Sequence, residues 1–293
     1  PGGRVTPGKR MTLTIGDDIF DLSGIWQYAV TAEADRDCPF EDFVRWKPTG
    51  LYNAMLAPCF PYAVRAVLWY QGESNTGDYA MRYGDELKAM IELWRGKWHQ
   101  PDMPFLIVQL PKFGIDAIED GGWPLIRDHE CRVADELEHV AAVVTLDAGE
   151  SNDLHPHDKK TIADRAFNVA MDFVYGQQAQ PQPVVETAEA DDGLLRMHCV
   201  WRNSMGEQMQ SQNRHLMTLD GDVPREIDFL WHDCATSVRA EAWLDGCDIV
   251  ARIPSRMPDE VRYAWSNSPE SGLICDGDGV LLPPFHLPLP MVD

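Results

Sequence analysis

A chain of 293 residues, 44% of them hydrophobic and ten of them tryptophan, is long enough for one large core or for one core plus a smaller one. Its 47 acidic residues against 25 basic ones give a formal charge of −22, which repels phosphate backbones and argues against a nucleic-acid partner. No apolar run reaches the length that crosses a bilayer, so no membrane partner is expected either.

The first residues, Pro1-Gly2-Gly3-Arg4, lack both an initiator Met and an apolar signal core. The reading is therefore of a processed chain or a piece of a longer one. Seven cysteines, Cys38, Cys59, Cys131, Cys199, Cys234, Cys247 and Cys275, are scattered, odd in number and without C-x-x-C spacing. They signal neither a zinc site nor a disulfide framework. Cys131 and Cys199 stand among apolar neighbours and are expected as small buried hydrophobes.

Residues 1–47 have hairpin grammar. Arg10 to Ile15, a Gly-Asp-Asp turn, Ile19 to Leu22, and Gly24 to Tyr28 are followed by an acidic loop from Glu33 to Asp42. Such a segment cannot bury a core alone, so it must pack on chain that lies elsewhere. From 48 to 178 the pattern changes to strands alternating with helices. Expected strands are Ala63–Tyr70, Pro104–Leu110 and Ala141–Leu146, with helices at about Asp78–Trp98, Trp123–His139 and Lys160–Tyr175. That alternation predicts an α/β fold with a parallel sheet in three layers. After the linker Gln177 to Pro183, residues 184–293 read as short strands: Leu194–Trp201, Arg214–Leu219, Ile227–Leu230, Val238–Leu244, Ile249–Ile253 and Val261–Trp265. A β-sandwich-like accessory domain is expected there.

Two polar clusters follow strands, and so fall at the edge where parallel sheets place ligand sites. The first is Gln71-Gly72-Glu73-Ser74-Asn75. Gln71 and Gly72 could offer N–H donors to a developing oxyanion, Glu73 could orient a neighbour, and Asn75 could donate further. Ser74 resembles a nucleophile, yet its surroundings lack the glycine two residues on that a Gly-x-Ser-x-Gly elbow requires. The second cluster is Asp153-Leu154-His155-Pro156. Pro156 suits the first position of a helix, which would place His155 as a general base and Asp153 as its orienting carboxylate just before it. Read blandly, the first cluster is a polar turn and Asp153 a helix cap.

Trp69 to Asn75, Asp153 to Lys159 and Val261 to Asn267, with Leu51 to Pro58 and Asp21 to Trp26, together resemble the sialate O-acetylesterase family of SGNH-type carbohydrate esterases. The likeness runs from about Leu22 to Phe285 in the right order. It implies an SGNH-like parallel sheet in residues 48–178, makes residues 1–47 the tail of an inserted β domain, and implies a serine-histidine-aspartate mechanism that removes acetyl groups from sugar hydroxyls without a cofactor. By this resemblance His155 is the base, Asp153 its partner, Gln71 and Gly72 serve the oxyanion, Glu73 holds the block, and Ser74 and Asn75 are positioning residues. One departure stands out. The family carries its nucleophile in a Gly-Gln-Ser-Asn stretch upstream, and none occurs between Pro1 and Val67. The chain thus resembles the C-terminal part of such an esterase, with the serine expected on an N-terminal fragment of the same enzyme and Ser74 as a fallback. Family members tend to be secreted, periplasmic or lysosomal.

Two rival readings are open. His155-Pro156-His157 beside Asp153 and Asp158 could serve a metal-dependent hydrolase. Alternatively, Trp201, Trp231, Trp243, Tyr263 and Trp265 could stack on sugar rings in a binding or scaffold module, although alternation with polar positions favours a core role. A serine esterase should show activity governed by one group titrating near neutrality. The loop from Phe113 to Trp123 would then choose the substrate.

Overall fold

The structure, a computed structural model, describes residues 12–25, 27, 29, 48–114, 122–177, 180–209, 214–234 and 237–289. Residues 1–58 and 59–293 form two units. In the first, β1 (Thr12–Ile15) and β2 (Asp18–Asp21) make an antiparallel hairpin around Gly16, whose φ of 62° suits a residue without Cβ. Every residue of both strands is exposed, as expected of a hairpin too small to own a core. Trp26, Tyr28 and the Glu33–Asp42 loop lie outside the described residues, as do residues 115–121 of the Phe113–Trp123 loop expected to choose substrate.

The second unit begins with β3 (Val67–Trp69), β4 (Phe105–Val108) and β5 (Val140–Val143), paired in parallel in that order. The ladder is shorter than the apolar runs that announce it. It opens where the Val67 N–H reaches the Pro104 carbonyl, and Pro104 has no N–H to carry it further back. All four β4 residues are buried, as a central parallel strand requires. Successive side chains then face opposite ways. Phe105 and Ile107 join α1 (Tyr83–Trp98) and α2 (Trp123–Glu136) in one cluster, while Leu106 and Val108 join α3 (Lys159–Phe173) in another.

Local chemistry sets the helix limits. In α1, Tyr83, Leu87 and Ile91 are buried at helical spacing, Asp85 and Glu86 stand in the first turn, and Arg95 and Lys97 in the last. His99 closes it in the left-handed region, its N–H bonded back to Arg95 and Gly96. A six-residue 3₁₀ stretch, Gly77–Arg82, precedes α1, so the α-helix starts later than the periodicity predicts. Helix α3 corrects a second expectation. It begins at Lys159 and not at Pro156, because Asp158 is the cap: its carboxylate accepts the Thr161 N–H at 3.0 Å and the Thr161 hydroxyl at 2.6 Å.

The C-terminal part is antiparallel. Strands β6 (Gln182–Asp191), β7 (Leu194–Arg202) and β8 (Gln208–Met209) are followed by β9 (Leu216–Thr218), β10 (Ile227–Leu230), β11 (Val238–Arg239), β12 (Ala242–Asp245), β13 (Asp248–Arg252), β14 (Glu260–Tyr263), β15 (Ile274–Asp276) and β16 (Phe285–Pro288). One sheet runs β12-β13-β7-β6, another β11-β10-β14-β16, and β9 pairs with β15. Their inner side chains, among them Leu195, Trp201, Phe229, Ile249, Val261 and Tyr263, share one cluster that also takes in Val144 and Leu146 from beyond β5. Each such buried side chain contributes about 1.5–3 kcal/mol over exposure. Trp201, Trp231 and Tyr263 are therefore core residues, and Cys131 and Cys199 are buried free thiols. Among the described residues no helix is long and apolar enough to cross a membrane.

Candidate active site

Because β3, β4 and β5 are parallel, the chain leaves all three at one edge. Neighbouring strands are spaced by about 4.8 Å, so the exits of β3 and β5 are roughly 10 Å apart, within reach of a single small substrate.

At the β3 exit the turn is held by its own polar groups. The Asn75 N–H bonds to the Gly72 carbonyl at 2.9 Å, the Gln71 amide donates to Asn75 Oδ1 at 2.9 Å, and the Thr76 hydroxyl caps the Glu73 carbonyl at 3.0 Å. The Gly72 N–H donates to Glu73 Oε2 at 2.9 Å. An acidic side chain thus occupies the donor that an oxyanion would need. From below, the Tyr83 hydroxyl bonds the Gln71 carbonyl at 2.5 Å and accepts from the Trp69 indole at 3.3 Å. Burial drives the Tyr83 phenol far above its usual range, so it stays a donor. Glycine at 72 is required by space: a Cβ there would lie 2.7 Å from Ile126 Cγ2 and 3.2 Å from both Glu130 Oε1 and Leu110 Cδ1.

At the β5 exit, Arg165 of α3 grips Asp147 with both guanidinium nitrogens and bonds the Val144 carbonyl at 3.2 Å. The loop then touches the one that leaves β4. Lys112 N–H meets the Ala148 carbonyl at 3.1 Å, and Gly114 N–H meets the Ser151 carbonyl at 2.6 Å. Asp153 Oδ1 accepts the backbone N–H of His155 at 3.0 Å, and its Oδ2 lies 3.3 Å from the ring Nε2 of His157. The imidazole in contact with Asp153 is therefore that of His157, while His155 is exposed. Glu150 accepts the His157 N–H at 3.2 Å and fixes the loop from its other side.

The two exits meet at one further point. Lys159, the first residue of α3, sits 5.1 Å from the centre of the Tyr70 ring. The third stretch closes the group from behind. The Phe113 N–H bonds the Asn267 carbonyl at 3.0 Å, Arg127 donates to the Ser266 carbonyl, and the Ser266 hydroxyl bonds Glu226 at 3.1 Å. Residues 71–75, 111–114, 147–159 and 264–267 are thus linked to one another or to α2, in one neighbourhood.

Two residues of that neighbourhood escaped the sequence reading. Arg127 and Glu130 are fully buried on α2. Their signal was present: Trp123, Ile126, Glu130 and Val133 follow one 3–4 spacing, so Glu130 stands on the apolar stripe. Among the described residues no three His, Cys, Asp or Glu side chains converge as a metal site. A cavity of about 1070 Å³ lies elsewhere, lined by Arg132, His139, Arg165, Arg202 and His286, and neither Gln71 nor His155 faces it. Arg132 pairs there with Asp128 and Glu136, while His139, Arg165, Arg202 and His286 face carboxylates outside the lining, Asp102, Asp147, Glu186 and Glu260.

Residues 41–165 match the family described as "Carbohydrate esterase, sialic acid-specific acetylesterase". The chain is 30% identical over 263 residues to the sialate O-acetylesterase of Mus musculus and 26% identical over 264 residues to that of Rattus norvegicus, in each case across 80% of this chain and 47% of the relative. A crystal structure of a carbohydrate acetylesterase from Xanthomonas citri superposes with a TM-score of 0.70 at 28% identity, covering 81% of this chain and 53% of that one. In fold and sequence the chain is similar to carbohydrate esterases. Among them it resembles the sialate O-acetylesterases, and it spans about half the length of the curated relatives it matches.

Proposed function

We propose that the chain is the C-terminal part of a carbohydrate O-acetylesterase, with residues 48–178 as the SGNH-like three-layer domain, 1–47 as the tail of an inserted β domain and 184–293 as a β-sandwich-like accessory domain. The reading is carried by one observation: the Gln71–Asn75 turn and the Asp153–His155 loop leave parallel strands at one edge and are bridged by Lys159 and Tyr70. An acyl-transfer site needs donors and a base facing one carbonyl, and this is the arrangement that could supply them.

In the proposed reaction a serine hydroxyl, from an N-terminal fragment of the same enzyme, attacks the acetyl carbonyl of an O-acetylated sugar. His155 takes its proton and passes it to the departing sugar oxygen. The oxyanion is held by N–H groups at Gln71 and Gly72, with Asn75 shaping the turn. Water, deprotonated by His155, then releases acetate and restores the serine. Two contacts must rearrange first. Glu73 has to release the Gly72 N–H, and Asp153, now against His157, has to engage the His155 ring. What supports an upstream partner is the outer edge of β3, which has no paired strand among the described residues and exposes Leu68 at 58%. A further parallel strand would cover it and bring its own exit loop beside Gln71.

The test is acetate release from an O-acetylated sugar by this chain alone and by the chain joined to its upstream polypeptide. Activity only in the joined form, and its loss in His155→Ala, is expected. Equal activity in both forms would reject the upstream serine and return Ser74 to consideration.

A further inference from the structure

Helix α2 drives a carboxylic acid into the floor of the site. Glu130 has no exposed surface; its Oε2 accepts the Leu110 N–H at 2.8 Å, just past β4, and its buried Oε1 has no hydrogen-bond partner among the described residues. That second oxygen points at the β3 exit, where a methyl on Gly72 would come within 3.2 Å of it. One side chain therefore bonds the chain just past one strand and stands close beneath the exit of another, below the residue whose N–H the acetyl-transfer reading uses.

We propose that Glu130 is a positioning residue of the esterase site, its carboxyl bridging Leu110 and the Gly72 turn so that the depth at which the Gly72 backbone seats is fixed from below. The proposal rests on the oxyanion role given to Gly72 above. A carboxylate with one bare oxygen in an apolar pocket is costly, whereas the neutral acid gives that oxygen a proton to donate and leaves Oε2 as the acceptor for Leu110. The surroundings favour the neutral form. Burial raises the Glu130 carboxyl well above the usual carboxylate range, and the Glu73 charge adds to this, against the Leu110 N–H and Arg127, which pull it down. The other titratable groups that feel its charge are the phenols of Tyr70, at the β3 exit, and Tyr83, at the start of α1, and the buried thiol of Cys131 next to it on α2; burial raises all three, so they stay protonated. Ile126 and Leu110 fill the remaining contacts around Gly72.

Two measurements separate the bridge from the active-site reading. The first is thermal unfolding of the full chain from pH 5 to 8.5, for the wild type and Glu130→Gln. The native acid keeps its proton where the unfolded one, near its ordinary 4.5, has lost it. Its contribution is therefore complete in acid and is lost as pH rises toward the raised native value. Glutamine cannot ionise, so its melting temperature should gain on the wild type by about 2 °C or more per pH unit. A difference that stays constant with pH would overturn the buried neutral acid.

The second is acetyl-ester hydrolysis by the longer form. Glu130→Ala should lower kcat about 100-fold with little change in KM, the signature of a lost transition-state donor. Glu130→Gln should restore it to within about tenfold, since the amide keeps an acceptor and a donor in the same place. An alanine variant with wild-type kcat overturns the positioning role. Should Glu130→Ala fail to fold, a glutamine variant whose KM rises while kcat stays at the wild-type value does the same. If no form hydrolyses acetyl esters, the esterase reading fails and the positioning role with it, while the unfolding series still decides the bridge.

Discussion

The ammonium of Lys159 lies 5.1 Å from the centre of the Tyr70 ring. Tyr70 is the residue before Gln71, and Lys159 stands four beyond His155, so this contact ties the two strand exits that the proposed chemistry needs together. An exposed cation–π contact is worth about 0.5–1 kcal/mol. Lys159→Ala should cost no more than that in stability, measured by urea unfolding, yet lower turnover of the longer enzyme by a larger factor than the stability loss alone explains. Unchanged turnover would show that the loops hold their places without it.

The Tyr70 hydroxyl is buried without a hydrogen-bond partner among the described residues, and burial, aided by Glu73 and Glu130, pushes its phenol up to about 12. Removing a buried polar atom that has no partner costs little. Tyr70→Phe should be neutral or stabilise by up to about 1 kcal/mol, with the midpoint of denaturant unfolding as the readout. A loss beyond about 1 kcal/mol would mean the hydroxyl has a bond.

Three glycines should respond in opposite directions. Gly72→Ala puts a methyl 2.7 Å from Ile126 and should destabilise by about 1–3 kcal/mol. Gly149→Ala combines φ of 86° with a Cβ 3.0 Å from the Lys112 carbonyl, and should cost a similar amount of about 1–3 kcal/mol. Gly96, inside α1, has nothing within 4 Å, so Gly96→Ala should stabilise by about 0.5–1 kcal/mol. Equal effects at all three positions would contradict the packing described.

The C-terminal sheet carries a pH-sensitive group of its own. Ring nitrogens of His232 and His286 lie 3.0 and 2.6 Å from the two oxygens of Glu260. Burial raises the Glu260 carboxyl, but the two imidazoles outweigh it and hold the group below its ordinary 4.5. The bond to Glu260 and the charge of Asp259 lift His232 above its ordinary 6.5. The glutamate contribution is present above pH 4.5 and fades as pH falls through the lowered value; that of the histidine is present below pH 6.5 and fades as pH rises through the raised one. Glu260→Gln should therefore lose most melting temperature, relative to wild type, between about pH 4.5 and 6.5. A deficit that is flat across pH 4 to 9 would contradict the pairing.

Much of this was legible in the sequence, for reasons that can be named. Tyr83, Leu87 and Ile91 repeat at helical spacing, and the all-apolar β4 run is what a strand buried on both faces must have, so the β-loop-α series could be read directly. Strand β6 was hidden because it is an edge strand that starts with Gln182-Pro183 and alternates weakly, which made its first residues look like linker. The run Val238–Leu244 divides between two sheets, since Ala240 bonds back to Ile227 while Arg252 bonds Glu241, and no local pattern announces such a crossing. The two polar clusters were visible because an apolar run gives way to polar side chains at Gln71 and again at Asp147. Which histidine faces Asp153 depends on how the 150–157 loop folds on itself, a matter of side-chain geometry that spacing leaves open. Glu130 was hidden in an amphipathic helix, where a charge is ordinarily assigned to the wet face.

The central claim is an esterase whose base lies in this chain and whose nucleophile comes from upstream. A serine-directed fluorophosphonate reports on it most directly, because it phosphonylates only an activated serine as fluoride leaves. With the joined polypeptide, peptide mapping should find the label on an upstream serine and lose it in His155→Ala, with Ser74 unlabelled. Labelling of Ser74 in this chain alone, or labelling that survives His155→Ala, would contradict the account.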